Sequence, residues 1–243
     1  MAKIVGLIPA RYHSTRLPGK PLALINGRPM IEHVYKRAVQ SAYLEEVWVA
    51  TDDLRIKEAV EGFGGQAVMT SASHATGTDR LAEAAAKLEA EIIVNIQGDE
   101  PLIDPVMIDT AVKPLLNHPE LQMATLKQEI TGDEDKNNPN VVKVVTDCNN
   151  LALYFSRSLM PYPRVKGAKV YKHIGLYVYR KDFLLQFSKM PQTPLEISES
   201  LEQLRALENG YAVYVAETDC SSVGVDTKED LLKVEEILKG MNS

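Results

Sequence analysis

Arg11, Arg16 and Lys20 lie within one short stretch, IPARYHSTRLPGKPL (residues 8–22), directly after the apolar run IVGLI. Guanidinium groups grip phosphate oxygens as bidentate forks, a lysine adds a compact point charge, and a glycine such as Gly19 lets the backbone come close to a ligand. Ser14 and Thr15 add hydroxyl donors. A chain of net charge -6 that gathers its cations in this way points to a local anionic partner, and a nucleoside triphosphate is the leading candidate. The two familiar phosphate loops do not fit. A Walker A loop needs glycine where Ser14 stands and Ser or Thr where Pro21 follows Lys20, and no G-x-G-x-x-G follows the first strand. A solvated basic surface loop is the ordinary alternative; the position just after the first strand of an α/β unit favours ligand binding.

Carboxylates form the second set. Asp99, in NIQGDEP, closes an apolar run, and Asp226, in GVDT, stands between a strand-like stretch and a helix start. Two such groups at one crevice could hold Mg²⁺, a hard cation that takes one or two carboxylates together with phosphates and water. Taken alone, Asp99 also reads as a turn residue and Asp226 as a helix-dipole partner. Phosphoryl transfer asks for in-line positioning and charge neutralisation more than covalent chemistry. No side chain stands out as a general base, so lowering of a hydroxyl pKa by a metal is the expected activation.

These residues need a scaffold that brings strand ends together. Apolar, β-branched runs (KIVGLIP, EVWVATD, QAVMT, EIIVNIQ) alternate with helix-period segments (PMIEHVYKRAVQSA, LRIKEAVEGF, and residues 79–88). That alternation predicts a parallel sheet covered on both faces, with ligands beyond the carboxyl ends of its strands. In the second half VVKVVTD, LALYFSR, KHIGLYVYR and AVYVAET read as strands with fewer helices between them, which predicts a mixed or antiparallel extension. SESLEQLRALENG reads as one helix with Leu201, Leu204 and Leu207 in a stripe and Gly210 as its C-cap. Thr227 and Asp230 have capping-box spacing before the last helix.

The 243 residues, 45% hydrophobic, suit one large α/β domain or two small ones, and the simplest division is a single domain over residues 1–243. Acidic residues outnumber basic ones, 33 to 27, against a general nucleic-acid surface. Cys148 and Cys220 lack disulfide-framework or zinc spacing, which fits a reducing cytoplasmic setting. The opening apolar run is too short for a signal peptide, and no run approaches membrane-spanning length.

ARYHSTRLPGKPL and NGRPMIEHVYKRA, followed in order by ATDD, GTDR, NIQGDEP, YFSRS, PYPR, KHIGLYVYR, ESLEQLR and GVDT, resemble the 3-deoxy-manno-octulosonate (KDO) cytidylyltransferase family over nearly the whole chain. The resemblance implies a three-layer, Rossmann-like nucleotide-sugar-transferase fold with a mixed, mostly parallel sheet and a dimerisation extension in the second half. It implies the reaction CTP + KDO to CMP-KDO and pyrophosphate, feeding lipopolysaccharide or capsule assembly, with Mg²⁺ on Asp99 and Asp226. The matching nucleotide positions are Ala10, Arg11, Ser14, Thr15, Arg16, Lys20, Thr51, Asp52, Ser71, Thr78 and Arg80, of which Arg11 and Lys20 join the two aspartates in catalysis. Those for the acidic eight-carbon sugar are Gln97, Arg157, His173, Tyr177, Glu202 and Gln203. Read by themselves, Thr76 or Thr78 is as well placed to cap a helix, and a lone strand histidine such as His173 is commonly structural. Two further functions remain open at this stage. One is a cytidylyltransferase for another 2-keto sugar acid, such as 8-amino-KDO or a sialic acid, and the other is a CTP sensor without turnover.

Overall fold

The computed structural model describes residues 2–13, 17–165 and 167–241. In chain order they form β1 (Ile4–Ala10), a 3₁₀ turn (Lys20–Leu22), β2 (Leu24–Ile25), β3 (Arg28–Pro29), α1 (Met30–Ala38), β4 (Glu46–Thr51), α2 (Leu54–Gly62), β5 (Gln66–Met69), α3 (Gly77–Ala86) and β6 (Ile92–Asn95). There follow α4 (Pro105–Asn117), β7 (Met123–Glu129), α5 (Asp133–Asn137), β8 (Lys143–Thr146), β9 (Ala152–Ser156), β10 (Tyr171–Arg180), α6 (Lys181–Phe187), α7 (Pro194–Glu199), α8 (Leu204–Glu208), β11 (Val213–Glu217) and α9 (Lys228–Met241). Residues 1–109 and 221–243 make one compact unit, and residues 110–220 make a second.

In the first unit the strands lie in the order β5-β4-β1-β6, all parallel. The parallel sheet expected from the alternating runs is present. Val5, Leu7 and Ile8 of β1 and Ile92, Ile93 and Val94 of β6 are all fully buried, the continuous apolar composition of strands covered on both faces. The last helix rejoins this unit: Val225, Val234 and Leu238 pack with Leu17, Ile25, Met30 and Leu102 in one apolar cluster. Burial of those side chains fixes the segment that carries Asp226.

The second unit is mixed, as its sequence predicts. β7 runs parallel to β11 and antiparallel to β10, β10 pairs antiparallel with β8, and β8 with β9. β7 itself, MATLKQE, is not among the strands read from the sequence. A second departure is SESLEQLRALENG, which is not one helix. It breaks between α7 and α8, with Ser200 in the left-handed region at φ 51°. Tertiary bonds override the helical period there: the Glu199 carboxylate accepts from the Ser156 hydroxyl (2.6 Å) and the Arg157 N–H (2.9 Å), and the Glu199 carbonyl accepts from Nε of Arg157 (2.7 Å). Gly210 does end α8 with a left-handed φ of 80°. Among the described residues no helix is long and apolar enough to cross a membrane.

Candidate active site

A cavity of about 800 Å³ opens in the first unit, walled by the end of β1, the 3₁₀ turn, the start of α3, the loop after β6 and Asp226. Two glycines shape it. Gly98 lies so close to the end of β1 that a Cβ there would fall 2.8 Å from the Pro9 carbonyl oxygen. Gly19 adopts φ +68°, donates its N–H to the Tyr12 carbonyl (3.0 Å) and turns the chain into the 3₁₀ segment that begins with Lys20.

The Lys20 ammonium donates to Oδ2 of Asp99 at 2.8 Å and to Oδ1 of Asp226 at 3.0 Å. Residues separated by about two hundred positions meet here because the Val225 N–H donates to the Asp99 carbonyl at 2.9 Å, tying the start of the C-terminal segment to the loop after β6. Thr227 and Asp230 form the predicted reciprocal cap: Asp230 Oδ2 accepts from the Thr227 N–H (2.9 Å) and the Asp230 N–H donates to Thr227 Oγ1 (3.2 Å). Capping is therefore done by Thr227, and the Asp226 carboxylate turns to Lys20. Next to Asp99, burial and then the Asp99 charge push the Glu100 carboxyl up to about 7.

The donor set suits a hard divalent cation. Two carboxylate oxygens converge within 3.0 Å of one positive centre. Among the described residues no group of three or more His, Cys, Asp and Glu side chains could hold a metal. Such a pair supplies part of an octahedral shell and leaves the remainder to phosphate and water, the usual arrangement for magnesium beside a nucleotide.

Of the nucleotide positions, Ala10, Arg11, Lys20 and Arg80 line the cavity, as do Asp99, Asp226 and Gln97. Ser14, Thr15 and Arg16 lie outside the described residues. Arg11 is exposed on the cavity wall. Arg80 is buried, donating to Thr70 Oγ1 at 2.5 Å and lying 3.3 Å from Asp52. Thr51, Asp52, Ser71 and Thr78 are not in the wall. The Thr51 hydroxyl instead accepts the Asp53 N–H at 3.2 Å, and the Ser71 hydroxyl pairs with that of Ser73 at 2.7 Å. Sequence reasoning missed Tyr12, His13, His74 and Thr76, all of which line the cavity. Thr76 and Asp79 form the capping box of α3, a signal readable in HATGTD. Tyr12 sits in the basic loop itself, with the Arg55 guanidinium 3.3 Å above its ring centroid.

The remaining sugar positions lie in the second unit, where β10 is irregular: Ile174 pairs with Leu126 and Val178 with Ala124, four steps on β10 against two on β7. The buried Thr125 hydroxyl fills the bulge, 3.0 Å from the Ile174 carbonyl, 2.8 Å from the Leu176 carbonyl and 2.9 Å from Nε2 of His173. Its single hydrogen goes to a carbonyl, so His173 donates Nε2–H to the Thr125 oxygen. Burial pushes the His173 imidazole down to about 3 and raises the Tyr177 hydroxyl well above its ordinary range. Arg157 donates to the carbonyls of Glu199 (2.7 Å), Pro139 (3.0 Å) and Ser200 (3.4 Å), three of its five N–H groups. Glu202 lies 3.5 Å from Arg205. Gln203 is only 4% exposed, and its Nε2 has no hydrogen-bond partner among the described residues, the kind of buried donor that a polar ligand satisfies.

Comparison with known proteins shows the family and the fold. The cytidylyltransferase family profile matches residues 5–219. A 3-deoxy-manno-octulosonate cytidylyltransferase of Syntrophotalea carbinolica is 56% identical over 98% of this chain and 99% of its own length. That of Geotalea daltonii is 57% identical over 98% of both. The solved structure of CMP:2-keto-3-deoxy-manno-octonic acid synthetase complexed with CTP superposes with a TM-score of 0.95, at 48% identity, over 99% of this chain and all of that one. A cytidylyltransferase from Leptospira borgpetersenii, TM-score 0.67 at 19% identity, shares the fold.

Proposed function

The chain belongs to the 3-deoxy-manno-octulosonate cytidylyltransferase family, and from that premise we propose how its residues carry the reaction of CTP with KDO to give CMP-KDO and pyrophosphate. The observation that carries the reading is the meeting of Lys20, Asp99 and Asp226 at one cavity whose wall also presents Arg11. The anomeric hydroxyl oxygen of the sugar forms a bond to the α-phosphorus, the bond from that phosphorus to the bridging oxygen of the β-phosphate breaks, and the hydroxyl proton passes to solvent. Arg11 and Arg16 grip phosphate oxygens, and Lys20 balances charge at the point where the two aspartates converge. A magnesium ion held by Asp99 and Asp226 would neutralise phosphate charge and lower the pKa of the attacking hydroxyl. Thr51, Asp52, Ser71, Thr78 and Arg80 shape the nucleoside end, either from the wall or from the layer behind it.

In the second unit His173, Tyr177, Glu202 and Gln203 supply hydrogen-bond partners for the hydroxyl-rich sugar, and Arg157 supplies a cation for its carboxylate. The unpartnered Nε2 of Gln203 supports this role. The enzyme works as a homodimer through its second unit, where Leu153, Tyr162, Val165 and Ile197 are 62–85% exposed. Free Cys148 and Cys220 suit a reducing cytoplasm, from which the product feeds lipopolysaccharide or capsule assembly.

Pyrophosphate release from each of the four nucleoside triphosphates with Mg²⁺, supplying KDO, a sialic acid or no sugar, tests the reading. Release with CTP and KDO alone is expected. Release with another keto acid would overturn the sugar assignments and keep the phosphate chemistry, and CTP binding without release would make the protein a sensor.

A further inference from the structure

Arg157 follows directly on β9, and its guanidinium is held by main-chain carbonyls alone. Nε donates to the Glu199 carbonyl (2.7 Å), Nη1 to the Pro139 carbonyl (3.0 Å) and Nη2 to the Ser200 carbonyl (3.4 Å). Among the described residues no carboxylate pairs with it. Glu199 spends its own carboxylate elsewhere: Oε1 accepts the Ser156 hydroxyl (2.6 Å) and Oε2 accepts the Arg157 main-chain N–H (2.9 Å). By count one hydrogen remains on each of Nη1 and Nη2, and bidentate capture of a carboxylate takes two such donors. The three carbonyls lie on two segments, and each is tied down. Glu199 and Ser200 form the break that ends α7, where Ser200 holds a left-handed φ of 51° despite its Cβ. The Glu199 carboxylate fastens that break to the end of β9 through Ser156, which is only 5% exposed and also accepts the Ser158 N–H on Oγ (3.0 Å). On the other segment, the Asn138 and Val141 carbonyls either side of Pro139 take the buried Lys143 ammonium (2.9 and 2.7 Å), which gives its third hydrogen to the Arg157 carbonyl (2.7 Å). Arg157 is thus fixed at its N–H, its carbonyl and its guanidinium.

We propose that Glu199 is a positioning residue for sugar recognition: it fixes the main chain and the guanidinium of Arg157 together, so that the two remaining Nη hydrogens form a preorganised fork for the sugar's carboxylate. The inference rests on Arg157 meeting that carboxylate. A side chain ordered beforehand loses little rotamer freedom when the anion arrives. The carbonyl cradle matters as well, because it orders the cation without neutralising it. Were the Glu199 carboxylate paired with the guanidinium instead, the incoming anion would have to displace it first.

The test is a double-mutant cycle in the pyrophosphate-release assay, with the KM for KDO, the KM for CTP and kcat measured for the wild type, Glu199→Gln, Arg157→Ala and the two changes combined. Glutamine keeps the shape of the side chain but offers one oxygen where the carboxylate offers two. Glu199→Gln should raise the KM for KDO roughly three- to tenfold. The KM for CTP and kcat should stay within about twofold, since the carboxylate is held alike in the ground and transition states. On the Arg157→Ala background the same change should alter the KM for KDO by less than about twofold, because Glu199 acts through Arg157. An equal rise in both KM values, no rise in either, or an undiminished rise on the Arg157→Ala background overturns the proposal. If Arg157→Ala itself leaves the KM for KDO unchanged, this inference falls together with the sugar reading it rests on. If Arg157→Ala raises that KM and Glu199→Gln does not, this inference falls alone. Should the Glu199 variant fail to fold, Ser156→Ala decides: it removes one of the two donors to that carboxylate and must raise the KM for KDO, by a smaller factor, with the same dependence on Arg157.

Discussion

Lys20 in the first unit and Lys143 and Arg205 in the second use their charges in opposite ways. In the first, Lys20 meets Asp99 and Asp226 at a cavity wall, and those carboxylates keep 41% and 46% of their side-chain surface in solvent. In the second, Lys143 is fully buried and gives its three N–H groups to the carbonyls of Asn138 (2.9 Å), Val141 (2.7 Å) and Arg157 (2.7 Å). Arg205 donates to the Glu196 carboxylate, with Nε 2.8 Å from Oε2 and Nη2 on Oε1, both residues almost wholly out of solvent. A cation paired with exposed carboxylates can exchange one of them for a phosphate at little cost. A cation locked on carbonyls cannot leave without stranding buried acceptors. The first arrangement is available for chemistry, and the second holds a shape.

The largest effect should come from breaking a locked pair. Arg205→Leu leaves Glu196 buried and unpaired and should cost about 3–5 kcal/mol in urea unfolding. Replacing Glu196 by Met in the same protein should recover most of it, because two well-packed apolar groups strand no charge. A loss below about 1 kcal/mol would mean that the second unit's charges are as loosely held as those at the cavity.

On the first unit the contrasting change is Asp226→Asn. Stability should hardly move, since the cap of α9 belongs to Thr227 and Asp230. Turnover at saturating CTP and Mg²⁺ should fall on the order of a hundredfold, the scale of removing one preorganised charge from a transition state. Affinity for CTP should fall much less. Unchanged turnover would remove Asp226 from the catalytic set.

A third, smaller effect sharpens the comparison through pH. Folded His173 titrates at about 3 because it is buried, while in the unfolded chain a histidine titrates near 6.5. Between those values only the unfolded chain takes up the proton. The contribution is complete above pH 6.5 and is lost as pH falls toward 3, by about 1 kcal/mol per pH unit. Denaturant midpoints from pH 7 to 5 should show that slope in the wild type and a shallower one in His173→Asn. Equal slopes would mean that His173 is not buried neutral.

What the sequence revealed follows the same division. The continuous apolar runs of β1, β4 and β6 announce themselves because burial on both faces demands that composition. The basic loop and Asp99 could be located because charge gathered at the carboxyl end of a parallel strand stands where such sheets bind their ligands. β7 was missed because Met, Ala, Leu, Lys, Gln and Glu are good helix formers; MATLKQE is a strand only because β10 and β11 pair along its two edges. The break at Ser200 was hidden for a similar reason, since the groups that pull Glu199 out of a helix, Ser156 and Arg157, lie more than forty residues away. His74 carried no signal of its own. Its place beside Glu83, one helical turn into α3 from the capping box, and on the cavity wall is visible only in three dimensions.

The smallest effect concerns the basic loop and its support. Asp53 caps α2 and holds Arg55 with both carboxylate oxygens, Nε to Oδ1 at 2.9 Å and Nη2 to Oδ2 at 2.6 Å. That fork keeps the guanidinium over the Tyr12 ring. Gly19 meets the same ring: a Cβ there would come 3.3 Å from Tyr12 carbons and meet a φ of +68° besides. Tyr12 thus touches both Arg55 and the turn that presents Lys20, and its neighbour in sequence is Arg11. An exposed cation–π contact is worth about 0.5–1 kcal/mol. If that energy orders the loop, Arg55→Ala should weaken CTP about two- to fivefold while the unfolding midpoint stays nearly constant, whereas a purely structural contact would lower the midpoint and leave CTP affinity alone. Arg55→Lys separates the stack from the charge: lysine keeps the cation but loses the planar fork on Asp53, so it should behave as the alanine variant does.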